Sequence, residues 1–338
     1  MMSKALKIGL VGLGNIGKRH LLLLRQLSEF QLVALCDNGQ VEKSVIGEAP
    51  FFSDYADFLS HCKEINADII VIATPHLEHA QQSIEALKMG FHVLVEKPMA
   101  LTSEDALLMN EMAAQANRKL WVVKQNRFNA PVAKVNELIT SGKLGKIYHL
   151  QCQVIWNRHA PYYLDSNWRG YLKKEGGALF THASHFIDLM TWWAGNVVDA
   201  KGLVKRFKQP IETEDMGSAV MEFESGAMGN ITWTTLSNNR NQEGSITIIA
   251  EKGTIKIGGL YLNQFDFWDV EGMDCPSLDD LMQDLPNDYG QYQGSSSNHH
   301  YVYHSISQEL LHGQGWAVDG KEGLKSIVAI EKIYRAVR

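Results

Sequence analysis

A glycine-rich turn set between a buried strand and a leucine-rich helix constrains this chain more than any other feature. Residues 7–12 (Lys-Ile-Gly-Leu-Val-Gly) form a short apolar run suited to a buried strand. Gly12-Leu13-Gly14-Asn15-Ile16-Gly17 follows at once, and then a helix carrying Leu21 to Leu24 and Leu27. A second apolar run, Leu32 to Cys36, ends at Asp37. Strand, glycine turn, helix, strand and acid in that order define a dinucleotide site. Gly12 permits the tight turn, Gly14 lets the backbone approach a pyrophosphate, and Gly17 lets the helix pack close to the strand. The helix N-terminus, at Asn15 and Ile16, offers N–H groups and a partial positive charge to the phosphates.

Asp37 selects among dinucleotides. A carboxylate there accepts hydrogen bonds from the adenosine ribose and repels a 2′-phosphate, by about 1 to 4 kcal/mol at about 4 Å. Asn38 and Gly39 follow, so no adjacent base neutralises such a phosphate. NAD is favoured and NADP disfavoured.

The chain has 338 residues, enough for two domains, and its 45% apolar content supports full cores. A net charge of −6 with no basic tract argues against nucleic acid. Cys36, Cys62, Cys152 and Cys275 are scattered, with no C-x-x-C, which suits a reduced cytoplasm. No run approaches membrane-spanning length, and the short N-terminal apolar stretch lacks a cleavage site. No membrane partner is expected.

Strand and helix signals alternate to about residue 125. Strands are expected at 67–74, 91–95 and 120–124, and helices at 78–89 and 103–117, the last N-capped by Ser103. This is a doubly wound parallel sheet, with ligands at the carboxyl ends of its strands. The pattern then changes. After a helix near 131–141, strand-like segments fall at about 146–157, 197–207, 215–224, 227–236, 244–250, 253–258 and 260–268. One helix, about 178–194, interrupts them. The second domain is therefore an open, mainly antiparallel sheet with helices on one face. Boundaries are expected at 1–125 for the NAD-binding domain and 126–338 for substrate binding and oligomerisation. Helices at 299–313 and 321–337 are expected to pack back on the first domain. The polar segment 272–298 reads as a solvated loop, its acids too unevenly spaced for a calcium site.

Three clusters fall where a nicotinamide and its substrate should meet. Thr74-Pro75-His76, with His79 beyond, ends a central strand. Glu96-Lys97-Pro98 follows the strand 91–95. Burial and a nicotinium charge would lower the Lys97 pKa from about 10.4 toward the working range, fitting it for proton exchange with a hydroxyl. Alternatively, Lys97 is a surface lysine paired with Glu96. The third cluster runs from Gly176-Gly177 to Asp188 and places Thr181, His185 and Asp188 at helical spacing. His185 can share proton transfer and hold a sugar hydroxyl. Local packing is the competing explanation, and a metal bound by His182, His185 and Asp188 is disfavoured by the spacing.

Together the GLGNIG turn, Glu96-Lys97-Pro98, the His185-x-x-Asp188 segment and the closing Gly320-x-x-Gly323 helix resemble the Gfo/Idh/MocA oxidoreductases. The resemblance covers nearly the whole chain. It implies a Rossmann domain followed by a sheet domain whose open face makes dimers or tetramers, and hydride transfer between NAD(P) and a sugar or polyol. It implies that Lys97 is the catalytic lysine, His185 the catalytic histidine, and Pro98 a proline preceded by a cis bond. Much of the family has an Asp where this chain has Thr181, which shifts proton chemistry onto Lys97 with His185 as helper. The segments Lys124 to Phe128, Tyr162-Tyr163, Asn167 to Gly170 and Gly294 through His299 resemble a narrower branch, the nucleotide-sugar 3-dehydrogenases of surface-polysaccharide synthesis. That resemblance implies a UDP-N-acetylglucosaminuronate-type substrate oxidised at C3. Gln125 joins the expected cofactor site. Arg127, Arg158, Tyr163, Trp168, Arg169, Asn298 and His299 form the expected substrate set, the arginines meeting a carboxylate or diphosphate and the aromatics stacking on sugar or base. A dehydrogenase of a free sugar or polyol, and a cofactor-binding regulator without turnover, are the alternatives.

Overall fold

The computed structural model describes residues 5–277, 286–288 and 293–338. Its contacts divide the chain into two compact units, Met1–Val123 with His299–Leu324, and Lys124–Asn298 with Lys325–Arg338. The chain thus returns to the first unit after residue 298, so a single cut near residue 125 does not separate the two.

Along the first unit run β1 (Leu6–Val11), α1 (Asn15–Leu24), β2 (Phe30–Cys36), α2 (Lys43–Ile46), β3 (Phe51–Phe52), α3 (Tyr55–Glu64), β4 (Ile69–Ile72), α4 (His76–Lys88), β5 (His92–Val95), α5 (Ser103–Gln115) and β6 (Leu120–Val122). The strands form one six-stranded sheet in the order β3-β2-β1-β4-β5-β6, every pair parallel. β4 is Ile-Ile-Val-Ile with all four side chains buried, as a strand covered on both faces requires. Order reverses beside β1, between β2 and β4, and the ligand crevice of such sheets lies at that point. Helix α5 is capped by Thr102, whose hydroxyl accepts from Asp105 N at 3.0 Å. Ser103, the expected cap, is the first helical residue instead, and the capping hydroxyl sits one position earlier.

The second unit holds α6 (Ala130–Thr140), β7 (Ile147–Ile155), α7 (Ala160–Leu164), α8 (Leu172–Glu175), a π-helical turn (Leu179–Ala183), α9 (Ser184–Ala194), β8 (Val197–Lys205), β9 (Met216–Phe223), β10 (Met228–Thr234), β11 (Glu243–Ala250), β12 (Gly253–Gly258) and β13 (Gln264–Val270). These strands make a seven-stranded sheet in the order β13-β12-β11-β7-β10-β9-β8. Only β7 and β10 are parallel. β9 alternates exposed and buried residues along its length, so the sheet is covered on one face only. Helix α9 lies against β7 and is buried nearly all round, which explains its continuous apolar sequence.

The expectation of solvated loop over 272–298 falls partly outside the described residues. Where described, β14 (Pro286–Asp288) and β15 (Gln293–Ser296) pair as an antiparallel ribbon, so this stretch is not all loop. The chain closes with α10 (His299–His312) and α11 (Gly320–Val337). Among the described residues no helix is long and apolar enough to cross a membrane.

Candidate active site

In the first unit, Gly12 adopts a φ of +89°, and a Cβ there would stand 2.5 Å from the Ala73 carbonyl oxygen. Gly17 is tighter: a Cβ would meet Gly12 O at 1.8 Å, so helix α1 can cross β1 only on glycine. Gly14, by contrast, has open space where a Cβ would project, and no side chain caps α1. Asn15 is exposed and Ile16 half-buried at that end. Asp37 stands beside the cradle. Its Oδ2 accepts from Leu13 N at 2.6 Å and its Oδ1 from Gly39 N at 2.7 Å. An open glycine face, an uncapped helix N-terminus and an acid at the end of β2 fit a dinucleotide.

Glu96, Lys97 and Pro98 follow β5, and the Lys97–Pro98 bond is cis. Lys97 is half-buried, while Glu96 is buried and does not serve as its surface partner. Glu96 instead accepts from the Lys97 backbone N–H at 3.0 Å and from His20 Nε2 at 3.0 Å. Burial would raise the Glu96 carboxyl, but hydrogen bonds from His20 and His299 outweigh it and hold the pKa well below the usual range.

His299, expected among the substrate ligands, lies in this buried group with its Nε2 3.5 Å from Glu96 Oε1. It packs edge-on against His20 rather than presenting an accessible face. Ligand atoms of His20, Glu96 and His299 come within 4.8 Å of one another, the one such set of potential metal ligands among the described residues.

Other expected cofactor residues have structural duties. The His79 ring spans the carbonyl oxygens of Pro98 (2.7 Å) and Thr74 (2.8 Å), tying the turn after β4 to the turn after β5. Burial lowers its pKa against the pull of those carbonyls. Thr74 sends its hydroxyl to Gln82 at 2.7 Å. Pro75 is the N-cap of α4, and His76, its first residue, is buried beside His79. His79 therefore shapes the turns rather than offering a free ring.

In the second unit, His185 and Asp188 on α9 face the segment 124–127. His185 Nε2 is 3.3 Å from Gln125 Nε2. Asp188 is gripped by Arg127 in a two-pronged pair (Nε–Oδ2 2.8 Å, Nη2–Oδ1 3.0 Å), and Lys124 Nζ stands 3.4 Å from Oδ1. Burial would raise the Asp188 carboxyl, but these cations bring it down to about 2. The fork expected to greet a substrate carboxylate thus holds the protein's own, with Trp192 stacked 4.4 Å from the guanidinium. A metal on His182, His185 and Asp188 does not fit, since Asp188 faces two cations and His182 packs against Trp156 and Tyr162.

Thr181 occupies the π-helical turn ahead of α9 and donates to Glu175 Oε1 at 2.9 Å. The extra residue in that turn breaks the simple helical register assumed for Thr181, His185 and Asp188. Nothing in the sequence marks Glu175 for burial: an acid in Lys-Lys-Glu-Gly-Gly reads as solvated surface, yet it is 2% exposed and raised to about 7 by burial.

Of the remaining expected substrate residues, Tyr163 and Arg169 line a cavity of about 560 Å³ whose walls also include Arg206, Phe207 and Lys208. Its size suits a small organic ligand. Arg169 stacks over Tyr162 at 4.3 Å and Trp168 at 5.3 Å. Arg158 is buried over Trp156 and Tyr162 and bonds Asn241, so it braces the fold. Asn298 is likewise internal, donating to Asn129 Oδ1 at 2.9 Å. His185 and Thr181 do not line the cavity.

Parallel sheet, glycine cradle and acid define an NAD-binding Rossmann domain joined to an open-sheet domain. Residues 6–124 match the model of the oxidoreductase family with an NAD-binding Rossmann fold, and residues 132–256 match the GFO/IDH/MocA C-terminal domain. The chain belongs to the Gfo/Idh/MocA oxidoreductase family. It is 35% identical to the WlbA dehydrogenase of Bordetella pertussis, solved with NADH and UDP-GlcNAcA, over 99% of this chain and 97% of that one, with a TM-score of 0.87. It is 31% identical to the WlbA dehydrogenase of Chromobacterium violaceum, solved with the same two ligands, over 100% and 95%, also with a TM-score of 0.87. A 1-carboxy-3-chloro-3,4-dihydroxycyclohexa-1,5-diene dehydrogenase of Comamonas testosteroni is 32% identical over 73% of this chain. The match spans 63% of that relative's length.

Proposed function

We propose that this protein is an NAD-dependent dehydrogenase of a nucleotide-linked sugar, oxidising the C3 hydroxyl of an N-acetylhexosaminuronate. The supporting observation is the end-to-end likeness, 35% identical over 99% of this chain, to a dehydrogenase solved with NADH and UDP-GlcNAcA. The cavity walls add three cations, Arg169, Arg206 and Lys208, which match the charge of a diphosphate.

NAD, when bound, supplies the hydride acceptor. Lys97 Nζ takes the proton of the reacting hydroxyl. His185 hydrogen-bonds the sugar, its ring steadied by Gln125. Gly14 and the N–H groups of α1 receive the pyrophosphate, and Asp37 the adenosine ribose. A 3-keto product is a substrate for amination, which suits surface-polysaccharide sugar synthesis. Free thiols at all four cysteines suit a reducing cytoplasm. The open sheet face is where we place a homodimer or homotetramer contact.

The test is NADH absorbance on mixing the protein with NAD and UDP-N-acetylglucosaminuronate, other UDP-sugars and free sugars. Turnover confined to nucleotide-linked sugars, lost by about 10² to 10⁴-fold in Lys97→Met while NAD binding persists, is the expected result. Turnover of free sugars alone would refute the nucleotide-sugar assignment. Tight NAD binding without turnover, single-turnover conditions included, would favour a regulator.

A further inference from the structure

Thr181 has one hydroxyl proton to donate. Its Oγ1 lies 2.9 Å from Glu175 Oε1 and 3.4 Å from the Gly177 carbonyl, so the carboxylate is the closer acceptor. The other carboxylate oxygen, Oε2, accepts from the Gly170 backbone N–H at 2.5 Å. Glu175 is 2% exposed and Thr181 half-buried, so the acid lies deeper than the threonine that donates to it. A hydroxyl whose proton is committed to a carboxylate can only accept from anything else that approaches it. The π-helical turn that carries Thr181 is a feature often found at functional sites.

We propose that Glu175 is a positioning residue for substrate: by accepting the Thr181 proton it presents Thr181 Oγ1 to the sugar as a hydrogen-bond acceptor, so that the sugar must donate a hydroxyl there. This rests on the dehydrogenase reading and deepens it, because it gives the missing carboxylate at position 181 a substitute lying behind the threonine. The bond's direction depends on the charge of Glu175. Protonated, the acid can donate to Oγ1, which occupies one of its lone pairs and frees the threonine proton, so the sugar hydroxyl meets a poorer acceptor.

The groups that face Glu175 set that charge. Burial raises its pKa to about 7 against the pull of Gly170 N–H, Thr181 and Arg169, with Glu214 adding to the rise. Tyr163 stands near as a neutral phenol, its own pKa raised by burial. Glu214 is itself held by Tyr334, Trp233 and Arg338.

Glu175→Gln is the discriminating variant. Gly170 N–H needs an acceptor, so the Gln oxygen stays there and the amide N–H₂ turns to Thr181, reversing the bond. KM for the sugar should rise about five- to tenfold with a smaller change in kcat, as for loss of one hydrogen bond. In the wild type KM should rise as pH falls below about 7, and in the variant that dependence should flatten. A fall in kcat at constant KM, or an unchanged pH profile, would overturn the proposal.

A second measurement needs no turnover. The carbon-13 signal of labelled glutamate carboxyls, assigned by its loss in Glu175→Gln, should titrate near pH 7 and move upward in Thr181→Val, which removes a donor to the charged form. Titration in the ordinary carboxylate range, or indifference to Thr181→Val, would refute the coupling. If the coupling holds but the wild type neither binds nor oxidises any sugar by calorimetry and absorbance, the dehydrogenase reading fails, and the positioning role fails with it.

Discussion

His20 Nε2 donates to Glu96 Oε1 across 3.0 Å in the interior of the first unit. The carboxylate can only accept, so Nε2 carries a proton, and Nδ1 meets the Tyr303 hydroxyl at 2.7 Å. The other carboxylate oxygen receives the Lys97 backbone N–H. One chain of hydrogen bonds thus links α10 and α1 to the turn that carries the proposed proton acceptor.

Removing the acid leaves His20 and the Lys97 amide buried without their acceptor. Glu96→Ala should cost about 3 kcal/mol in unfolding free energy, measured by urea denaturation, and Tyr303→Phe about 1 kcal/mol. Equal small losses in both would contradict a central role for the carboxylate.

Asp37 accepts two backbone N–H groups, and in the proposed cofactor site its side chain is the group that would meet an adenosine 2′-phosphate. Asp37→Ser should weaken NAD binding and lower the NAD-to-NADP ratio of kcat/KM by about tenfold or more. Steady-state kinetics with both cofactors would show it; an unchanged ratio would mean that discrimination lies elsewhere.

Arg127 and Lys124 hold Asp188 at about 2, below its unfolded value of 3.8. A lowered folded pKa adds stability above the unfolded pKa, and that stability drains away as pH falls from about 4 toward 2. The contribution at neutral pH is about 2 kcal/mol. Asp188→Asn should lose about 3 kcal/mol at pH 7, because buried Lys124 and half-buried Arg127 lose their carboxylate partner. Denaturation curves at pH 7 and pH 3 should show the gap to wild type narrowing with acid.

Leu203 (75% exposed), Val220 (56%) and Met228 (63%) lie on the uncovered face of the seven-stranded sheet. Val220→Asp sets a charge among them. If that face joins copies of the chain, light scattering should report a smaller assembly for the variant while NAD binding stays intact. An unchanged mass would place the contact elsewhere.

Local chemistry determined much of this protein. Gly12, Gly14, Gly17 and Asp37 are legible in order because turn geometry, close helix approach and phosphate binding act within about thirty residues. Apolar runs and alternation located both sheets because burial on two faces or one writes itself into strand periodicity. The partners of charged and polar side chains were decided by tertiary structure alone. The family resemblance implied Arg127 as a ligand for a substrate carboxylate or diphosphate and His299 as a substrate contact; folding gave them Asp188 and Glu96. Glu175 reads as solvent-exposed until the fold buries it against the Gly170 N–H and the Thr181 hydroxyl. A buried charge must find its complement wherever the chain brings one, across 61 residues for Arg127 and Asp188 and 203 for Glu96 and His299. No local pattern records such a pairing.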